Sequence, residues 1–180
     1  TPPFEINEVL VSNALDSFGP NKAPGPDGFT PKILQNLGPR ALGVIKELYR
    51  SSLSRGEVPG KLLQMKVVFL PKEGKPDKAS AKAYRPITLS NFLLKGLERT
   101  IQWHLQENQL REPLLHQHAY TRSRSTETAL SYAVNLIEDN IKHKSFTLAV
   151  SLDCTGAFDN LNFETAINAM RRHAIDERLI

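Results

Sequence analysis

At 180 residues, with 40% hydrophobic and 23% charged residues, the chain has the composition of a folded domain, which excludes a disordered segment. A single cysteine, Cys154, excludes an internal disulfide and a cysteine-rich zinc site, and the five histidines lack ligand spacing, so any metal has to be held by carboxylates. The formal charge of +4 is uneven: residues 61–99 carry nine Lys or Arg against three acids, +6 in all, and the remainder sums to −2. A concentrated basic stretch favours a polyanionic partner, although a solvated loop face produces the same pattern. No apolar run approaches the roughly 20 residues of a membrane span, and residues 1–10 read as neither a signal nor a transit sequence. The expectation is a soluble, intracellular protein with no membrane partner, its compartment undecided.

Val9, Leu10, Ala14, Leu15 and Phe18 recur at helical spacing and predict an amphipathic helix over 6–18, closed by Gly19-Pro20. Residues 21–28 hold two prolines and two glycines and predict a structured loop. Helices follow over 31–37, stopped by Gly38, and over 39–55, opened by Pro39 and stopped by Gly56. The β-branched, apolar run 65–71 predicts a buried strand ending at its proline. After a polar loop over 72–82, residues 86–90 predict a short strand. Ser90 or Asn91 then caps a helix to about 110, with Phe92, Leu93, Leu97, Ile101 and Leu105 on its apolar side.

Ser125 or Thr126 caps another helix to about 143, residues 146–152 predict a strand that delivers Asp153 at its end, and Asn162 opens a last helix. Helices, a strand pair, helices, a strand and a helix, with no internal repeat, make an α/β or α+β unit with too few strands to close a sheet alone.

Residues 151–159, Ser-Leu-Asp-Cys-Thr-Gly-Ala-Phe-Asp, are the sharpest site. A carboxylate leaving a buried apolar strand is costly to bury unpaired, so Asp153 caps the following turn, pairs with a cation or binds a metal. The local sequence leaves the three open. The Cys154 thiol reads as a small buried packing group.

Four segments, taken in order, add to this reading: Lys22-Ala-Pro-Gly-Pro-Asp-Gly28; Val67-Val-Phe-Leu-Pro-Lys72 followed by Tyr84-Arg-Pro-Ile-Thr-Leu89; Gln117-His-Ala-Tyr with Arg124-Ser-Thr126; and residues 151–159. Together they resemble the reverse transcriptases of non-LTR (LINE-type) retrotransposons over nearly the whole chain. The segments match that family's KAPGPDG block, its fingers strands, its Q-x-G-F-x-x-x-R-S-T block and the palm segment with the first catalytic aspartate. Ala119 stands where glycine is usual and Thr121 where arginine is usual.

The resemblance implies a right-hand polymerase, with fingers and template-contacting helices over 1–145 and the first part of the palm over 146–180. Asp153 is then the catalytic, metal-binding aspartate, and the Cys154 backbone carbonyl is a further ligand. The family's aspartate pair, in a Y-x-D-D segment, lies beyond this stretch. Two Mg²⁺ ions are the implied cofactors. Lys72 and Arg85 are the cations that bind the incoming triphosphate, chemistry for which an ammonium and a planar guanidinium are suited. For Lys72 the competing reading is an exposed loop lysine.

Phe158 resembles the aromatic that lies beneath the nucleotide sugar and excludes a 2′-hydroxyl, with a core anchor as the competing reading. Asp159 supports the turn or caps the next helix. Arg122 and Arg124, flanking a helix start, are candidates for template contact, with a solvated face as the alternative.

The implied partners are an RNA template, a DNA primer, a dNTP and the remaining palm and thumb of the same polypeptide. The 180-residue stretch alone is expected to be inactive. Two other readings stay open: a degenerate reverse-transcriptase-like domain that binds RNA without catalysis, and a viral RNA-dependent RNA polymerase. The latter family has a second aspartate where Phe158 stands.

Overall fold

The computed structural model describes residues 3–74, 79–108, 115–154, 156–157 and 160–180. Local chemistry opens each helix. The Asn7 side chain accepts the Leu10 amide at 2.8 Å and starts α1 (Glu8–Asp16). Thr30 caps α2 (Pro31–Gln35), and Pro31 and Pro39 occupy the first positions of α2 and α3 (Pro39–Arg55), where no amide donor is needed. Gly56, at φ +67°, ends α3 in the left-handed conformation that glycine adopts without strain. Next come the strands β1 (Met65–Pro71) and β2 (Tyr84–Ser90), then α4 (Phe92–Asn108), α5 (Thr126–Lys142) and α6 (Phe163–Arg172). Among the described residues the architecture is thus mixed helix with one small antiparallel sheet, compatible with the expected α+β class. No helix among them is long and apolar enough to cross a membrane.

By packing, the chain divides into Thr1–Leu110 with Met170–Ile180, and Arg111–Ala169. The core of the first unit gathers Val11 and Leu15 of α1, Ile45, Tyr49 and Leu53 of α3, and Phe92 and Leu97 of α4. Tyr49 is fully buried, and its hydroxyl donates to the Leu93 carbonyl at 2.6 Å, so burial leaves no unpaired phenol. Gln35 donates to the carbonyls of Leu15 and Phe18, at 3.1 and 2.8 Å, and so ties α2 to the C-terminal end of α1 and the residues that follow it. In the second unit, Ser125 and Thr128 form a reciprocal capping box at the start of α5, and neither α5 nor α6 buries a residue.

Three expectations are corrected. In α1 the buried stripe is Val11, Ala14 and Leu15, and Val9 is 68% exposed: the i, i+3, i+4 set that starts at Val11 is the one facing α3 and α4. Strand β1 forms over the expected residues, yet every member except Val68 is exposed. Strand composition reports how well side chains suit a pleated surface, whereas burial needs a covering layer, and the principal neighbour of each strand is the other. Residues 146–152 form no ladder: Phe146, Leu148, Val150 and Leu152 are all exposed, and the sheet among the described residues has only β1 and β2. A strand is completed by hydrogen bonds to a neighbouring strand, and an alternating apolar pattern cannot supply that neighbour.

Candidate functional site

The hairpin register decides which of its side chains can act together. Met65 pairs with Ser90, Leu70 with Arg85 and Pro71 with Tyr84. Beyond the last pair the Lys72 amide donates to the Ala83 carbonyl at 2.7 Å, which continues the same register. Side chains alternate along a strand and directly opposed residues share a face, so Leu70, Lys72 and Arg85 lie on one side of the hairpin tip. Arg85 is exposed and Lys72 half-buried. The register therefore sets the two cations expected to meet a triphosphate on one face. Pro86, which has no amide to donate, lies opposite Phe69 in this two-stranded sheet.

In the second unit the turn before α5 is held from within. Arg124 donates from Nη1 to the carbonyls of Leu115, at 2.8 Å, and Gln117, at 2.6 Å. Its guanidinium thus organises the loop, while Arg122 is exposed. Asp153 and Cys154 are both exposed, so the thiol is not the buried packing group expected; the segment before it has no layer over it. Among the described residues no group of three or more His, Cys, Asp or Glu side chains is placed to hold a metal. One carboxylate with one backbone carbonyl does not amount to a two-ion centre, since Mg²⁺ is bound through one or two carboxylates with phosphate and water completing its octahedron. Phe158 and Asp159 lie outside the described residues.

One residue of consequence was missed as more than a helix cap. Asn91 is 2% exposed, and its side chain reaches across the chain, donating to the carbonyls of Lys61 at 3.0 Å and Leu62 at 3.3 Å and accepting the Asp27 amide at 3.4 Å. Its sequence signal was weak, because asparagine after a strand and before a helix ordinarily reads as a cap.

The chain belongs to the reverse transcriptase (RNA-dependent DNA polymerase) family, whose model matches residues 70–180. More particularly, it is similar to non-LTR retrotransposon proteins. It is 26% identical over 172 residues to the probable RNA-directed DNA polymerase from transposon BS of Drosophila melanogaster, covering 94% of this chain and 19% of that protein. It is 29% identical over 167 residues to the retrovirus-related Pol polyprotein from type-1 retrotransposable element R2 of Popillia japonica, covering 93% and 22%. With the corresponding R2 polyprotein of Nasonia vitripennis it shares 25% identity over 150 residues, covering 83% and 14%. The chain spans about a fifth of the length of these relatives, or less.

Proposed function

We propose that this chain supplies the fingers, over 1–145, and the first part of the palm, over 146–180, of an RNA-directed DNA polymerase that extends a DNA primer on an RNA template from dNTPs. Beyond family membership, the observation that carries the reading is the hairpin register, which sets Lys72 and Arg85 on one face. An ammonium and a guanidinium on one face match the charge and the forked oxygens of a triphosphate. Asp153 supplies one carboxylate, and the Cys154 carbonyl one further oxygen, to divalent ions. Mg²⁺ is the proposed metal, completed by carboxylates outside this stretch. Arg122, and Arg124 through the loop it holds, contact the template strand.

The test uses both lengths of protein. A polypeptide extended as far as its relatives should extend a primer on RNA with dNTPs and Mg²⁺. The 180-residue chain should not, yet it should bind primer-template weakly with an affinity that falls as salt rises, because neutralised phosphates release counterions. Extension by the short chain, or binding indifferent to salt, counts against the reading.

A further inference from the structure

The β1–β2 hairpin is a lever. Each strand has seven residues, so its tip lies roughly 20 Å from its base, and neither strand has another element as its principal neighbour. A tilt of about 10° at the base would move Lys72 and Arg85 by about 3 to 4 Å at the tip, by the geometry of an arm of that length. Displacements of about 1 Å are already enough to impair a positioned reaction. Whatever holds the base therefore decides where the two cations stand.

At the base, where Met65 pairs with Ser90, the next residue is the buried Asn91. Its amide nitrogen donates to the carbonyls of Lys61 and Leu62, just ahead of β1, while its own backbone leads out of β2. One side chain thus ties the entrance of the hairpin to its exit. Its oxygen accepts the Asp27 amide, adding the loop over 24–28 as a third member. That loop is a turn in its own right: the Gly28 amide donates to the Gly25 carbonyl at 3.1 Å, and Asp27 accepts the Phe29 amide at 3.1 Å.

Gly25 lets the loop press against this junction. A Cβ there would stand 2.7 Å from the Asn91 nitrogen and 2.8 Å from the Ser90 carbonyl carbon, and against Asn91 Oδ1 as well. Two of those three atoms are backbone and cannot rotate aside.

We infer that Asn91 is a positioning residue that, with Gly25 seated against it, sets the direction of the hairpin and hence the place of Lys72 and Arg85 over the nucleotide. The nucleotide part rests on the function proposed above; the clamp itself does not. In the 180-residue chain carrying Cys154→Ser, spin labels at Glu73, near the hairpin tip, and Arg40, on α3, report the hairpin direction as a distance distribution by pulsed electron resonance. Asn91→Leu, which keeps the number and branching of side-chain heavy atoms but lacks the three hydrogen bonds, should shift or broaden that distribution by about 3 Å, the displacement expected for the lever. Gly25→Ala, which wedges the junction from the other side, should do the same and serves if Asn91→Leu does not fold.

In the extended polymerase, Asn91→Leu should raise the KM for dNTP about tenfold with kcat changed much less, the signature of a lost ground-state contact. Arg85→Ala should raise KM without altering the distance distribution. An unchanged distribution in the folded variants overturns the inference. A changed distribution with KM raised by Arg85→Ala but not by Asn91→Leu overturns its link to nucleotide binding. If neither substitution moves KM while the distribution changes, the clamp stands and the assignment of the hairpin to the nucleotide fails.

Discussion

Gly96 on α4 faces the hydroxyl of Tyr49 on α3 so closely that a Cβ on Gly96 would collide with that oxygen, and it would also approach Leu15 Cδ2 to 3.2 Å. The absent side chain lets the phenol reach the Leu93 carbonyl. Gly96→Ala should therefore destabilise the first unit by about 1 to 3 kcal/mol through overpacking, even though alanine is the better helix former. Tyr49→Phe, which gives up the hydrogen bond and keeps the ring, should cost about 1 kcal/mol. Urea midpoints of the two variants check the order; a stabilised Gly96→Ala would mean that α3 and α4 are not in the described contact.

The same tyrosine sets a pH dependence. Burial pushes the Tyr49 phenol well above its ordinary value of 10.0, outweighing a smaller lowering by the Leu97 backbone. The folded state thus holds this proton more tightly than the unfolded state. The stability it contributes is complete below pH 10.0 and is lost as pH rises from there toward the raised value. Wild type should lose stability between pH 9 and 11 more steeply than Tyr49→Phe, in which the group is missing. Equal slopes in denaturation series at the two pH values would show that the phenol is not buried in solution.

Asp153→Asn, made in the polypeptide extended to include the remaining palm, should lower kcat by at least about a hundredfold while template-primer affinity changes by only a few-fold. In the proposed role the carboxylate would act at the metal-bound reacting centre, whereas a duplex is held over a wide surface. Single-turnover extension beside an equilibrium binding titration separates the two, and extension within tenfold of wild type would remove Asp153 from the catalytic role.

Arg85→Lys tests geometry apart from charge. A lysine keeps the cation and loses the forked donor set, so the KM for dNTP should rise less than in Arg85→Ala but still by several-fold. Steady-state kinetics over a range of dNTP concentrations decide it; a lysine variant equal to wild type would reduce Arg85 to a point charge.

If Phe158 lies beneath the nucleotide sugar, as the family resemblance implies, Phe158→Val in the extended enzyme should admit ribonucleotides, because a trimmed ring would open room for a 2′-hydroxyl and leave an apolar floor. The preference for dNTP over rNTP, as a ratio of kcat/KM values, should fall while dNTP incorporation changes far less. If the ring is a core anchor instead, the variant should lose roughly 1 to 3 kcal/mol of stability and depress both substrates together, which a thermal melt run beside the kinetics would reveal.

Much of this was legible in the sequence, and for local reasons. The bounds of α3 follow from Pro39 and Gly56, the start of α5 from Ser125, and β1 from its β-branched run, because caps, prolines and side chains suited to a pleated surface act within a few residues. The family was legible too, since its segments recur here in order.

Tertiary structure alone decided which residues meet. Lys72 and Arg85 share a face because residue 70 pairs with residue 85, and a slip of one position would have put them on opposite sides. Asn91 joins residues separated by 64 and 30 positions, a relation that no local pattern encodes. Phe146, Leu148, Val150 and Leu152 alternate like strand residues, yet they stand exposed without a ladder, because the pattern prepares one face whereas burial and hydrogen bonding both require a neighbour.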